Sequence, residues 1–304
     1  MLDPELLPFV EAGRKAWPVP PEQLPVAEYR QRYDAQMIAA RRPRAAGLAV
    51  QDRELGGVPV RIYRPAADGA ARLPAMVFMH GGGWVIGSVE SHDEIAAAIA
   101  ADTGCAVISV EYRRAPEHPF PHALDDSLAV VRAAAAQAGE LGIDAARLLV
   151  GGDSAGGNLA AAIALALRGG DVALHGQVLL YPSLGADFDT ASFVENAAGP
   201  VITAPQVRWF FDQYLPDPAN RRDPLALPLL ADSLRGLPPA FIGVAQNDPI
   251  RDDGIAYAQR LRDDGVAVQL DTGPGLIHGY VRARHACAAA QHSYEAMCGW
   301  VRAR

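Results

Sequence analysis

The sequence predicts an α/β protein with a mostly parallel sheet covered by helices. Three observations carry that expectation. Short β-rich runs alternate with alanine-rich helical runs along most of the chain, the rhythm of parallel strands joined by crossover helices. Half of the 304 residues are apolar, enough for one large domain with an insertion or two small ones. Finally, Gly152-Asp153-Ser154-Ala155-Gly156 stands between the apolar run Leu148-Leu149-Val150 and an alanine-rich stretch from Asn158 to Leu167. A serine therefore occupies a strand-to-helix turn.

The candidate strands are Val58–Tyr63, Ala75–Met79, Ala106–Glu111, Leu148–Val150, Gly176–Leu180, Ala240–Ala245 and Val266–Leu270. Val60-Arg61-Ile62-Tyr63 alternates apolar with polar, as a half-exposed antiparallel strand should, whereas Ala240–Ala245 is nearly all apolar, as a central strand should be. The candidate helices are His92–Ala101, Ala123–Ala138, Ala155–Arg168, Gly254–Asp264 and Arg284–Val301. Two segments break the rhythm. Residues 1–45 read as helical pieces interrupted by Trp17-Pro18-Val19-Pro20-Pro21, and residues 185–235 carry Trp209, Phe210, Phe211 and Tyr214 among several prolines. Each reads as a surface excursion or part of a lid over the strand ends.

Composition excludes several classes. A formal charge of −8 without a basic run argues against nucleic acid as a partner. Cys105, Cys287 and Cys298 are too few and too scattered for a disulfide framework or a zinc site, and read as small buried thiols. Met1-Leu2-Asp3-Pro4-Glu5 lacks the basic start of a secretory signal, and no run of about twenty apolar residues exists to span a membrane. The expectation is a cytoplasmic protein. Lys15 as the single lysine beside many arginines reads as codon bias.

Gly-x-Ser-x-Gly between strand and helix is the setting of a nucleophile elbow, a turn so tight that only small residues fit beside the serine. A serine hydroxyl needs a base to take its proton and an acid to fix that base. Downstream of Ser154 stand His175, His278, His285 and His292. His175 falls at the start of a strand, and His285 and His292 lie in a helical stretch. His278 sits in the Gly-flanked loop Pro274-Gly275-Leu276-Ile277-His278-Gly279-Tyr280, after the last strand, where a general base belongs. Asp248 follows the strand Ala240–Ala245 and is the favoured acid over Asp252 and Asp253. Asp253 reads instead as capping or opening the next helix. His80-Gly81-Gly82-Gly83-Trp84 follows another strand and matches a loop that offers N–H groups to an oxyanion. The Ala155 N–H is the third such donor, at a helix start whose positive end faces the developing charge.

His80–Trp84, Gly152–Gly157, Asp248–Gly254 and His278–Tyr280 together resemble the hormone-sensitive-lipase group of carboxylesterases, the bacterial family IV esterases. Glu111-Tyr112-Arg113-Arg114-Ala115-Pro116-Glu117-His118-Pro119-Phe120-Pro121 resembles the same group. The likeness runs from about Val58 to the C-terminus. It implies an α/β-hydrolase fold with an eight-stranded, mostly parallel sheet in residues 46–184 and 236–304. It also implies a helical cap made of residues 1–45 and an insertion over 185–235. By resemblance Ser154, Asp248 and His278 form the triad, and Gly82, Gly83 and Ala155 line the oxyanion hole. The chain departs from the family pattern at Arg114, where leucine is usual, and is more polar at Gln246 and Asn247. Plant hormone receptors of this fold lose the histidine that His278 retains.

The expected activity is a serine carboxylesterase acting on short- to medium-chain acyl esters through an acyl-enzyme, with no metal and no cofactor. The alternatives are an amidase or arylacetamide-deacetylase-like hydrolase on the same triad, and a small-ligand receptor. Trp84, Trp209 and Phe210 are candidates for the substrate-pocket wall. Prolines around His118 and His122 forbid the helix that would pair them as metal ligands. Asp125-Asp126 reads as complementing a helix dipole. Val266–Leu270, a candidate sheet edge, is a candidate homodimer contact.

Overall fold

The computed structural model describes residues 1–17, 19–66 and 72–304. Pro18 of the proline-rich segment lies outside them. Eight strands form one sheet: β1 Ala49–Leu55, β2 Val58–Arg64, β3 Leu73–Met79, β4 Ala106–Val110, β5 Ile143–Asp153, β6 Gly176–Leu180, β7 Ala240–Gly243 and β8 Val268–Asp271. Their spatial order is β1-β2-β4-β3-β5-β6-β7-β8. β2 pairs antiparallel with both β1 and β4, and every pairing from β4 through β8 is parallel. β1 has no counterpart among the candidate strands. Its sequence, Ala-Val-Gln-Asp-Arg-Glu-Leu, is largely exposed and lacks a buried face. Backbone pairing with β2 along its whole length makes it a strand.

The helices are α1 Leu7–Ala16, α2 Val26–Ala39, α3 Asp93–Thr103, α4 His122–Ala136, α5 Ala138–Leu141, α6 Ala155–Ala166, α7 Ala191–Glu195, α8 Ala204–Tyr214, α9 Arg251–Asp263 and α10 Ala288–Arg302. Alternate residues of β3 feed two cores, as the period-2 geometry of a strand demands. Val77 and Met79 join Val130 of α4, Leu159 of α6 and Leu261 of α9 on one face. Met76 and Phe78 join Ile95 and Ile99 of α3 and Met297 of α10 on the other. Cys105, Cys287 and Cys298 are free and buried. Asp126 does more than complement a dipole, because its carboxylate takes a forked pair of bonds from Arg113 and also accepts the Arg113 N–H.

At one end of the sheet Tyr29 of α2 and Phe210 of α8 pack with Val85, Ile86 and Ala115 as a small third cluster, with Trp17, Trp209 and Ile202 against it. That cluster stands over the loops that leave β3 and β5.

Candidate active site

Ser154 separates β5 from α6 with φ 56° and ψ −118°, a backbone region that a side chain enters only under strain. Its N–H bonds the Leu180 carbonyl at 2.8 Å, which pins the turn to β6. Glycine on both sides is a steric requirement. A Cβ on Gly152 would sit 2.4 Å from the Gly156 backbone, and one on Gly156 would sit 1.9 Å from the Met79 oxygen.

Three chain segments 124 residues apart at their extremes meet at this turn. His278 Nε2 lies 3.0 Å from Ser154 Oγ, and its Nδ1 lies 2.7 Å from Asp248 Oδ2. Asp248 is fully buried, and its other oxygen accepts the Ile250 N–H at 3.0 Å. Burial disfavours the charged imidazole, but the Asp248 charge and hydrogen bond outweigh it and lift His278 above its usual 6.5. The Tyr181 ring meets the imidazole edge-on, 4.9 Å between centroids.

The rival acids go elsewhere. Asp252 accepts the Ser192 N–H at 2.8 Å. Asp253 does not cap α9, which begins at Arg251, but lies in its first turn. Instead Asp253 Oδ2 accepts the N–H groups of Leu184 and Gly185, both at 2.9 Å. Burial raises its carboxyl to about 7 in spite of those donors. His175 immediately precedes β6, and His292 lies in α10.

The loop after β3 turns through left-handed backbone at Gly82 (φ 124°), Gly83 (φ 57°) and Trp84 (φ 59°). Among the described residues no protein group accepts the Gly82 or Gly83 N–H. Ala155 opens α6, where an N–H has no intrahelical partner. A Cβ on Gly83 would lie 2.2 Å from the Phe210 ring. Gly81 is tied down by its N–H, which reaches Asp153 Oδ1 at 2.9 Å and His92 Nε2 at 3.2 Å. His80 stacks on Tyr112 with centroids 4.2 Å apart, and the Tyr112 hydroxyl donates to the His80 carbonyl. Arg114 finds a local use, donating to the Gly87 carbonyl beyond the glycine run.

These groups open into a cavity of about 580 Å3 bounded by Ser154, His278, Trp17, Tyr29, Ile202 and Phe210. Phe210 lines it. Trp84 does not: its left-handed backbone turns the indole into the core, stacked on Tyr214 at 4.2 Å and 1 % exposed. Trp209 also falls outside the lining and packs on Phe210 and Tyr29. Sequence reasoning missed Asp153 and Tyr181. Asp153 was visible only as the variable position of the serine pentapeptide, and Tyr181 only as the residue that follows β6. Among the described residues the grouping able to hold a metal is Asp3, Glu5 and Cys287, away from this cavity.

A family model described as alpha/beta hydrolase fold matches residues 76–282. The chain belongs to that family, in its hormone-sensitive-lipase-like branch. It is 42 % identical over 245 residues to carboxylesterase NlhH of Mycobacterium tuberculosis, covering 77 % of this chain and 76 % of that one. It is 40 % identical over 293 residues to ethyl acetate hydrolase of Pseudomonas putida, covering 92 % of each. Among solved structures, a thermostable esterase from Pseudomonas putida ECU1011 superposes with TM-score 0.92 at 32 % identity, covering 99 % of this chain and 97 % of that one. No described helix is long and apolar enough to cross a membrane.

Proposed function

We propose that the chain is a serine carboxylesterase that cleaves short- to medium-chain acyl esters through an acyl-enzyme on Ser154. The observation that carries this reading is the unbroken line of Ser154 Oγ, His278 and Asp248 at 3.0 and 2.7 Å. His278 takes the Ser154 proton as the hydroxyl attacks the ester carbonyl. The Gly82, Gly83 and Ala155 N–H groups receive the oxyanion, and Asp248 holds the imidazole in register and stabilises its cation. His278 then protonates the leaving alcohol and activates the water that releases the acid.

Ester hydrolysis is the named activity of the relatives from both bacterial species. The short acyl range rests on a bounded cavity of about 580 Å3 with aromatic walls at Tyr29 and Phe210. Residues 1–45 and 185–235 serve as the cap, on the strength of α1, α2 and α8 standing over the strand ends. β8 is an edge strand and is the proposed contact of a homodimer, for which light scattering at assay concentration is the check. A cytoplasmic site of action completes the reading, and cell fractionation tests it.

The deciding experiment is a series of aryl esters of increasing acyl length, assayed with the native chain and with Ser154→Ala. Turnover highest on short acyl groups and absent in the variant is the expected result. Native-level turnover in the variant would refute the assignment.

A further inference from the structure

Arg282 stands four residues beyond His278 and lines the same cavity. No carboxylate among the described residues lies within 4.0 Å of its guanidinium. It donates to the Ser91 carbonyl at 3.0 Å and to the Tyr33 hydroxyl at 3.2 Å, and its Nη2 lies 2.8 Å from His92 Nε2. That last contact decides a tautomer. A guanidinium has only donors, so His92 Nε2 must be an unprotonated acceptor. The proton then sits on Nδ1, which is 3.0 Å from Ser91 Oγ, a group that already spends its own hydrogen on the Ser88 carbonyl.

With Nε2 unprotonated, the 3.4 Å approach of His92 Nε2 to Asp153 Oδ1 is not an ion pair. Two acceptors face each other, and the Gly81 N–H is shared between them. Protonated His92 would instead donate to Asp153 and compete with Gly81 for that oxygen. Gly81 directly precedes the two glycines whose N–H groups face the oxyanion position.

We infer that Arg282 is a positioning residue for the oxyanion loop, which acts by holding His92 as the neutral Nδ1–H tautomer so that Gly81 stays anchored to Asp153. The inference rests on the proposed role of Gly82 and Gly83. The groups facing His92 are Arg282 from the loop after β8, Asp153 from β5, Ser91 and the His80 ring 5.3 Å away, with Tyr33 of α2 behind Arg282. Burial, first, and then the Arg282 charge hold His92 below its ordinary 6.5, against the pull of Asp153. Burial keeps His80 well below 6.5 as well, so it stays neutral beside them. Burial pushes the Asp153 carboxyl up, and the Arg282 charge and the Gly81 N–H pull it down.

The test compares pH profiles of kcat and KM for one aryl ester in the native chain, Arg282→Met, Arg282→Lys and the double variant Arg282→Met/His92→Gln. The native acid limb is expected to show the single ionisation of His278. Arg282→Met leaves His92 beside Asp153 without the opposing charge. A second ionisation is therefore expected, with kcat reduced about tenfold to a hundredfold and KM little changed, as for a displaced transition-state contact. Arg282→Lys should restore the single ionisation, and the double variant should lack the second one because glutamine does not titrate. An unaltered profile in Arg282→Met, or a second ionisation that survives in the double variant, overturns the inference. Should Arg282→Met fail to fold, imidazole NMR of the native chain reads the tautomer directly. His92 titrating between about pH 5 and 8 would then end the idea. Failure of the underlying esterase reading is separate, since it appears as activity retained in Ser154→Ala.

Discussion

The floor and the roof of the cavity are built by different means. The floor consists of the Gly152–Gly156 turn and the His80–Trp84 loop, and its geometry is held by backbone. A single added Cβ at Gly82 or Gly156 would come within 2.2 or 1.9 Å of a carbonyl oxygen. The roof consists of α1, α2 and the segment through α8, and side chains hold it together. Trp17, Tyr29, Trp209 and Phe210 meet with ring centroids 5.1 to 6.2 Å apart. Polar ties reach the roof as well: Arg30 Nε of α2 donates to the Val85 carbonyl at 2.7 Å, next to the glycine loop, and Asp253 of α9 accepts the N–H groups of Leu184 and Gly185, where the segment leading to α8 begins. Backbone geometry leaves little room for variation, whereas packed side chains can be exchanged. Under the proposed esterase mechanism, the difference puts the serine and the oxyanion donors in the floor and leaves substrate choice to the roof.

That division is open to attack from both sides. The largest effect should come from Ser154→Ala, a loss of about a millionfold in kcat with folding intact, read from turnover and from failure to react with an organophosphonate. Asp248→Asn should follow, costing about ten-thousandfold in kcat because the amide favours the wrong imidazole tautomer. If Asp252→Asn proved the more damaging change, the acid has been misassigned. In the roof, Phe210→Ala should move the acyl-length optimum upward and change kcat/KM for the shortest ester by about tenfold, with the oxyanion chemistry retained. An unmoved optimum would break the comparison.

The smallest effect concerns the tie between α9 and the start of the segment that leads to α8. Asp253 holds its proton more tightly folded than unfolded, so stability should decline as pH rises from the ordinary carboxyl range to about 7. Asp253→Asn keeps an acceptor for Leu184 and Gly185 and carries no charge. Its melting temperature should match the native chain at about pH 4 and exceed it by a few degrees at about pH 8. A variant less stable than the native chain at the higher pH would show that the ionised carboxylate strengthens the tie.

Much of the floor could be read directly. Gly152–Gly156 announces a turn that excludes side chains, and His80–Trp84 announces a backbone close to a ligand, because glycine in those patterns has a steric reason. Six of the seven foreseen strands begin within two residues of their observed starts; Leu148–Val150 is only the buried centre of the longer β5. β1 escaped because an exposed strand at the sheet edge carries no hydrophobic period. Asp253 could be placed at a helix start, but not the loop its carboxylate reaches, because an acid there looks the same whichever way its side chain points. Trp84 misled for a related reason. Its place beside the glycines was plain, but the sign of its φ, and with it the side on which the indole falls, depends on the loop as a whole.

The order of strands and helices, the tight serine turn and the glycine loop were determined by the chain's local chemistry, because apolar period and glycine content act over a few residues. Which acid meets His278, which aromatics face the cavity and how Arg282 comes to rest on His92 were decided only by tertiary structure. Those contacts join residues 30 to 190 positions apart. No local preference encodes the direction in which a side chain leaves the backbone once the sheet has twisted and the loops have closed over its ends.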